Sequence, residues 1–214
     1  MALPRNLHRG RSLVPQPNSG RRLIARLAHQ YPDPAAVQRL ILSRPYNTEP
    51  HGETLSSAVR AFAKQHWHCL EASMLAAAIL SIHGHPPLVL SLGSVDDLDH
   101  VVYVFRQNGH WGAISRSRYE GLQGRRPVYR SSRDLVCSYL DPFVDETGEI
   151  ISYAIANLDD TGVDWRTSPK NVWKVERYLI EFPHRKLRLG RPRYRKMLAR
   201  YRQLGGHPRQ STWA

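Results

Sequence analysis

The stretch that decides the fold covers residues 65–81 and reads QHWHCLEASMLAAAILS. It joins a polar, histidine-rich turn to the segment Leu70–Ser81, which is apolar nearly all round, as is typical of a buried helix. Cys69 stands at the junction of the two. A thiol at a helix start is stabilised as a thiolate, because unpaired backbone N–H groups and the helix dipole favour negative charge there. The stretch therefore predicts a buried helix that begins with a reactive cysteine.

A β-hairpin is predicted downstream of this helix. Residues 88–92 (LVLSL) and 101–105 (VVYVF) have the apolar, β-branched composition of strands, and residues 111–115 form the returning strand. Between the last two lies Asn108-Gly109, the strongest two-residue hairpin signal. The sequence thus predicts a small antiparallel sheet directly after the buried helix.

The register of this hairpin places a histidine beside two hydroxyl groups. If Asn108-Gly109 is the loop, paired positions sum to 217, so Val102 faces Ser115 and His100 faces Ser117. Because side chains alternate along a strand, these four residues share one face. A histidine on a strand downstream of a helix-start cysteine is the usual proton partner for the thiol. Cys69 and His100 are therefore the predicted nucleophile and base, with hydroxyls placed to orient the imidazole.

This order of motifs resembles the core of the transglutaminase-like superfamily, which includes transglutaminases, cysteine peptidases and amidases. The likeness covers residues 55–118, less than a third of the chain. The matching motifs are His68–Ser73 (HCLEAS), Leu88–Leu92 (LVLSL), Asp99–Tyr103 (DHVVY) and Trp111–Ile114 (WGAI). The resemblance implies an α+β fold in which the nucleophile helix packs on a small antiparallel sheet, as in papain-like cores. It also implies a cysteine hydrolase or acyltransferase that acts on an amide or acyl bond of a peptide or other amide-bearing substrate.

The sequence departs from the family pattern at the third catalytic position. The family has an Asp about four residues after the Trp that corresponds to Trp111, and this chain has Ser115 there. An Asp stabilises the imidazolium more strongly than a Ser does. Either Cys69 and His100 act as a dyad with Ser115 or Ser117 as orienter, or an acid comes from Asp97, Asp99 or Asp141, or activity is lost.

The remaining polar residues near Cys69 have more than one interpretation. Gln65 and Trp67 are candidates for the oxyanion donor besides the Cys69 N–H, and Trp67 is equally a candidate for packing under the helix. Glu71 in the first helical turn is best explained as a cap. Cys137 lies in an apolar segment and is predicted to be core. The cluster His66, His68, Cys69, His83 and His85 matches none of the usual zinc patterns, so we expect no metal and no other cofactor.

Charge is concentrated at the ends of the chain. The net charge is +13, yet residues 31–181 hold 15 basic and 18 acidic residues. Residues 1–30 contain six Arg, residues 182–214 contain ten Lys or Arg, and neither segment contains an acid. We therefore divide the chain into a disordered basic arm (1–20), a folded domain (21–181) and a basic tail that is partly helical (182–214). The tails are candidates for binding nucleic acid.

Two function classes follow, and both fit a cytoplasmic protein. Two cysteines suit a reducing compartment, no apolar run is long enough to span a membrane, and the N-terminus lacks the apolar stretch of a secretory signal. The first class is the cysteine hydrolase; the second is a catalytically inactive binding module whose basic tails contact nucleic acid or a protein partner.

Additional elements are predicted as helices over residues 20–29, 35–43, 55–66, 133–140, 169–181 and 194–204, a loop over 119–129 and a short strand over 151–155.

Overall fold

The computed structural model of the chain describes residues 17–95, 100–144, 148–188 and 190–206. Four helices precede the sheet: α1 (Pro17–Gln30), α2 (Pro34–Leu42), α3 (Ala58–Lys64) and α4 (Cys69–Ser81). The strands and remaining helices then follow: β1 (Leu88–Ser94), β2 (His100–Gln107), β3 (His110–Ile114), β4 (Arg125–Tyr129), α5 (Ser132–Cys137), α6 (Leu140–Phe143), β5 (Ile150–Asn157), α7 (Trp173–Glu181), β6 (Arg185–Lys186) and α8 (Arg191–Gln203). A single 3₁₀ turn, Leu158–Thr161, follows β5. The architecture is α+β, which confirms the predicted fold class.

The strands of the described residues form one antiparallel sheet in the order β4-β3-β2-β1-β5-β6. The hairpin of β2 and β3 has the predicted register, since Tyr103 pairs with Ile114 and Gln107 pairs with His110. Asn108 and Gly109 both have left-handed backbone, with φ of 51° and 80°, as a tight two-residue hairpin turn requires. Because β3 ends at Ile114, Ser115 follows directly after the paired segment.

The sheet has a core on each face, and β2 contributes to both. Val101, Tyr103 and Phe105 pack in the larger core with α4, whereas Val102 and Val104 pack in a second core beneath α5 and α6. This is the alternation expected of a strand buried on two sides. Consequently residues 101–105 of β2 are all apolar, and His100 is its first residue.

Helix α4 is the centre of the larger core. Every residue from Leu70 to Leu80 is buried, because helices α1, α2 and α3 enclose it on one side and β2 on the other. The helix ends at Ser81. After it the exposed side chain of Ile82 reaches solvent, and Gly84 turns the chain with a positive φ of 82°. The all-apolar sequence therefore forms the buried helix that it predicts, with Cys69 as its first residue.

Helix α3 is shorter than predicted. We expected helix over 55–66, but α3 begins at Ala58 after Ser57. The preceding backbone groups bond to distant partners instead: the Leu55 carbonyl accepts from Val172 N–H at 2.8 Å, and Ser56 N–H donates to Glu71 at 2.7 Å. Tertiary hydrogen bonds thus override the helical pattern of this segment.

Strand β4 lies inside the segment predicted as loop. It pairs with β3 through Trp111–Tyr129 and Ala113–Arg125, with an irregularity between them. Arg125 is held inward, since its guanidinium lies 4.0 Å from the centroid of the Tyr139 ring and donates to the Gly121 carbonyl at 2.6 Å. Because the segment is rich in Gly and Arg and its inward-facing residue Arg125 is polar and half-buried, its composition indicates a loop although residues 125–129 form a strand.

The two ends of the described chain differ from the predicted arm and tail. Helix α1 begins at Pro17, so residues 17–20 are helical and do not belong to a disordered arm; residues 1–16 and 207–214 lie outside the described residues. Helix α8 starts three residues before the predicted tail helix, and none of its side chains is buried. Within the described ranges, no helix is both long enough and apolar enough to cross a membrane.

Candidate active site

Cys69 lies at the N-terminus of α4 with its side chain half-buried. The preceding loop fixes this helix start: Asn47 N–H donates to the Trp67 carbonyl at 3.1 Å, and Tyr46 and Trp67 form a parallel β-bridge. As the first helical residue, Cys69 has a backbone N–H with no partner within the helix. The thiol therefore lies at the positive end of the helix dipole, close to backbone N–H groups that have no partner within the helix.

Two imidazoles hydrogen-bond the Cys69 thiol. Burial raises the pKa of this thiol, but the hydrogen bonds from His100 and His68, together with their charges, outweigh burial and bring the pKa well below its ordinary value. The two imidazoles therefore favour the thiolate form of Cys69. The predicted pair, Cys69 and His100, is brought together, and His68 joins it.

The Nε2 atom of His100 is hydrogen-bonded to a carbonyl and a hydroxyl. Its Nε2 lies 2.8 Å from the Leu122 carbonyl oxygen and 3.0 Å from Ser115 Oγ, and the His100 side chain is buried. Because a carbonyl can only accept, Nε2 carries the proton and donates, which leaves Nδ1 for the thiol. Ser115 Oγ also donates to the Leu122 carbonyl at 3.2 Å. The imidazole is therefore oriented by neutral groups.

The two serines that share the predicted face have different environments. Ser115 is fixed at its backbone by Gln38, whose amide bonds the Ser115 N–H and carbonyl, each at 3.0 Å. Ser117 lies one step further, in a turn where its Oγ accepts from Tyr119 N–H at 3.0 Å. The structure brings Ser115 to His100 and places Ser117 in the adjoining loop.

His68 is bound on its far side by a carbonyl and a buried carboxylate. Its Nε2 lies 3.1 Å from the Thr54 carbonyl and 3.7 Å from Glu71 Oε2. Burial lowers the pKa of His68, but the hydrogen bond to Cys69 and the charges of Cys69 and Glu71 raise it to about 9. His68 is consequently an imidazolium at neutral pH, with the thiolate on one side and Glu71 on the other.

Glu71 serves as more than a helix cap. Its side chain is fully buried and accepts from the backbone N–H of Ser56 at 2.7 Å, from His68 N–H at 3.3 Å and from the Asn47 amide at 3.3 Å. Three N–H donors are what a buried carboxylate requires. Glu71 thus ties the loop before α3 to the first turn of α4, directly beneath His68.

Tyr46 lies over the main chain of the nucleophile. Burial and the charge of Cys69 raise the pKa of its phenol, which accepts a hydrogen bond from the Cys69 backbone. Arg116 and Arg118, from the segment after β3, act electrostatically on the same phenol. Tyr46 therefore interacts with both Cys69 and two cationic side chains.

The predicted oxyanion residues lie elsewhere. The indole of Trp67 is fully buried and its Nε1 donates to the Ile41 carbonyl at 3.1 Å, so the ring packs under the helix and does not line a cleft. Gln65 ends α3 with a positive φ of 59°, its amide nitrogen donates to the Phe62 carbonyl, and its amide oxygen accepts from Arg44. Both side chains have their donors occupied away from Cys69.

The alternative acids are not brought to His100 within the described residues. Asp141 on α6 is exposed and forms an ion pair with Arg193 at 3.0 Å. Asp97 and Asp99 lie outside the described residues. Cys137, at the end of α5, packs against the second core as predicted.

The histidines suspected of metal binding are dispersed. His83 bonds the Ala28 carbonyl at 3.0 Å, and His85 packs edge-on against Phe105. In the part of the chain that the structure describes, no three His, Cys, Asp or Glu side chains are grouped to hold a metal ion.

Sequence reasoning missed three parts of this site. His68 was considered only as a metal ligand, although its place directly before a helix-start cysteine was a usable signal. Tyr46 and the Leu122 carbonyl reach the site through contacts 22 or more residues distant along the chain, which no local pattern reveals.

No protein-family model matches the chain, and no curated protein matches it. The site itself must therefore carry the functional argument.

Proposed function

We propose that this protein is a cysteine hydrolase with a transglutaminase-like core, which cleaves an amide or related acyl bond through Cys69 and His100. The observation that carries the proposal is the hydrogen-bonded contact of a helix-start thiol with a buried histidine whose other nitrogen is fixed by Leu122 and Ser115. A helix that begins with the nucleophile, packed on an antiparallel sheet whose strand begins with the histidine, is also the arrangement implied by the resemblance.

The geometry supports a two-stage reaction. The Cys69 thiolate attacks the substrate carbonyl carbon, and the oxygen takes up the electron pair. The C–N bond then breaks as His100 gives its Nδ1 proton to the leaving amine, which produces an acyl-enzyme. His100 next accepts a proton from water, the resulting hydroxide adds to the acyl carbon, and the C–S bond breaks to release the acid and restore the thiolate. Hydrolysis is proposed over acyl transfer because water is the acceptor available to any half-buried thiol.

The oxyanion donors differ from those predicted. The Cys69 backbone N–H remains the first donor, since it has no helical partner. Tyr46 replaces Gln65 and Trp67 as the candidate second donor, because its hydroxyl lies at that N–H. A substrate carbonyl that displaced the phenol from the N–H would have the phenol O–H beside it.

The test is the rate of Cys69 alkylation by iodoacetamide between pH 4 and 10, read by mass spectrometry. We expect fast alkylation with a midpoint well below the free-thiol value of about 8.5. His100→Ala should raise this midpoint and slow the rate near neutral pH. Cys137 in the same protein serves as the internal control. A Cys69 rate and midpoint that match those of Cys137 would refute the enzyme proposal.

The second candidate function is a binding module that uses the basic tails. It is supported by α8, which carries six exposed Arg and Lys, no acid and no buried side chain, and by the neutral Ser115 in place of an Asp. A groove of about 890 Å³ lies between α8 and residues 120–144, with Arg193, Lys196 and Arg200 among its lining. An unreactive Cys69 together with salt-dependent binding of nucleic acid would favour this function over hydrolysis.

A further inference from the structure

The two histidines at Cys69 have different surroundings on their far sides. Behind His68 lie the Thr54 carbonyl and the buried carboxylate of Glu71, with Oε2 at 3.7 Å from Nε2. Behind His100 lie two neutral oxygens, those of Leu122 and Ser115. One imidazole therefore has two anionic neighbours, the thiolate and Glu71, whereas the other has only the thiolate for a contacting anion among the described residues.

This difference has a consequence once the thiolate is acylated. Formation of the thioester removes the negative charge of Cys69 from both histidines. His68 retains Glu71, which is locked by Ser56, Asn47 and the His68 backbone and takes no part in the reaction. His100, by contrast, loses the anion it contacts, and the oxygens at its Nε2 are neutral.

We propose that the two imidazoles have separate tasks: His68 remains an imidazolium throughout the cycle and holds the thiolate, while His100 alone transfers the proton. This assignment rests on the proposed function and adds a second catalytic histidine to it. In each cycle one proton passes from His100 to the leaving amine and one returns from water, and the proton count of His68 does not change. In the family pattern a carboxylate orients the histidine that transfers the proton. In this chain the carboxylate of Glu71 contacts His68, which keeps its proton, and not His100.

Charged and titratable groups from several elements act on this arrangement. Those that act on the two imidazoles and the thiol are Tyr46 before α3, Cys69 and Glu71 on α4, His100 on β2, and Glu176 on α7. Glu49 and Glu53 act on Glu176, and Glu49 also acts on Tyr46. Of these, Glu71 is the carboxylate in contact with His68, and it is fully buried. Glu71 is consequently the group whose removal should matter most to the charge of His68.

The first experiment is an ultraviolet titration of the Cys69 thiolate in the full-length protein, with Cys69→Ser as the blank. We expect His68→Gln to raise the thiolate midpoint by about one to two pH units, because it removes a contacting positive charge. His66→Gln, two residues away and outside the hydrogen-bonded cluster, is the matched control and should leave the midpoint unchanged. Circular dichroism and Cys137 alkylation verify that each variant is folded.

The second experiment follows the His68 ring by NMR after Cys69 has been blocked with iodoacetamide. We expect His68 to titrate above the free-imidazole value of about 6.5 even without the thiolate, and to fall to that value or below in blocked Glu71→Gln. A fall to 6.5 or below in the blocked wild type would overturn the assignment of a permanent charge.

The outcomes separate this inference from the proposed function. A wild-type Cys69 that titrates as an ordinary thiol contradicts both. A low midpoint in the wild type that His68→Gln leaves unchanged contradicts only the separate tasks, and then His100 alone sustains the thiolate.

Discussion

Among single residues, Ser115 helps to orient His100 in the proposed site. Its hydroxyl contacts His100 Nε2 at 3.0 Å, but the Leu122 carbonyl contacts the same nitrogen at 2.8 Å. The carbonyl alone can keep Nε2 protonated, so the serine adds orientation and does not determine the tautomer. A neutral hydrogen bond of this kind contributes about 0.5–1.5 kcal/mol.

We expect Ser115→Ala to slow turnover roughly 3- to 10-fold, as loss of one neutral hydrogen bond implies. The measurement is hydrolysis of p-nitrophenyl acetate, in which the burst reports acylation of Cys69 and the steady rate reports deacylation. Because the proposed reaction has His100 activate water in deacylation, the steady rate should fall more than the burst. Ser117→Ala, in the adjoining turn, is the matched control and should retain both rates; a loss above about 100-fold in Ser115→Ala would mean that the serine is indispensable.

At the scale of elements, helix α4 both carries Cys69, the proposed nucleophile, and fills the larger core. Its residues from Leu70 to Leu80 are all buried, so its position is set by packing on every side. A helix start that cannot shift keeps Cys69 in register with His100, which begins the neighbouring strand. The stability of this helix and the geometry of the site are therefore linked.

We expect Leu75→Ala to reduce the free energy of unfolding by about 2–5 kcal/mol, because it leaves a cavity beside a fully buried helix. Urea unfolding measures the change. Ile82→Ala, just after the same helix, is the control, since its side chain is 57% exposed and its loss should cost no more than about 0.5 kcal/mol. Equal effects of the two substitutions would contradict the enclosure of α4.

The elements that the sequence predicts well are those whose signals are local. The apolar run gives α4, and Asn108-Gly109 gives the hairpin and its register, because turn chemistry and alternation act over a few residues. The start of α3 and the strand β4 are mispredicted, since their hydrogen bonds join residues far apart in the chain. The same division holds at the site, where Cys69 and His100 are found from the sequence and Tyr46 is not.

At the scale of the whole molecule, the two basic segments at the ends of the chain differ in how closely they pack on the folded domain. Helix α1 carries exposed Arg21, Arg22 and Arg26, yet its Ile24 and Leu27 belong to the larger core, so this basic segment is part of the fold. Helix α8 has no fully buried side chain, Met197 is half-buried against the second core, and the ion pair from Arg193 to Asp141 is exposed on both sides. The C-terminal segment is therefore the dispensable one, and its natural boundary follows Leu187, which is buried in the second core.

We expect deletion of residues 190–214 to reduce the free energy of unfolding by no more than about 1–2 kcal/mol, because exposed ion pairs contribute little and Met197 is only half-buried. Cys69 alkylation should be unchanged, since α8 contributes no group to the site.

If the tail binds nucleic acid, fluorescence anisotropy with a labelled DNA duplex should show binding by the full chain that weakens steeply between 50 and 200 mM salt and is lost in the deletion, because phosphate contacts release counterions. The matched control is Arg195→Ala/Lys196→Ala/Arg200→Ala/Arg202→Ala, which keeps the chain length and removes the charge. Equal binding by the deletion and the full chain would exclude α8 as the contact, and a loss of Cys69 reactivity would show that the tail supports the site.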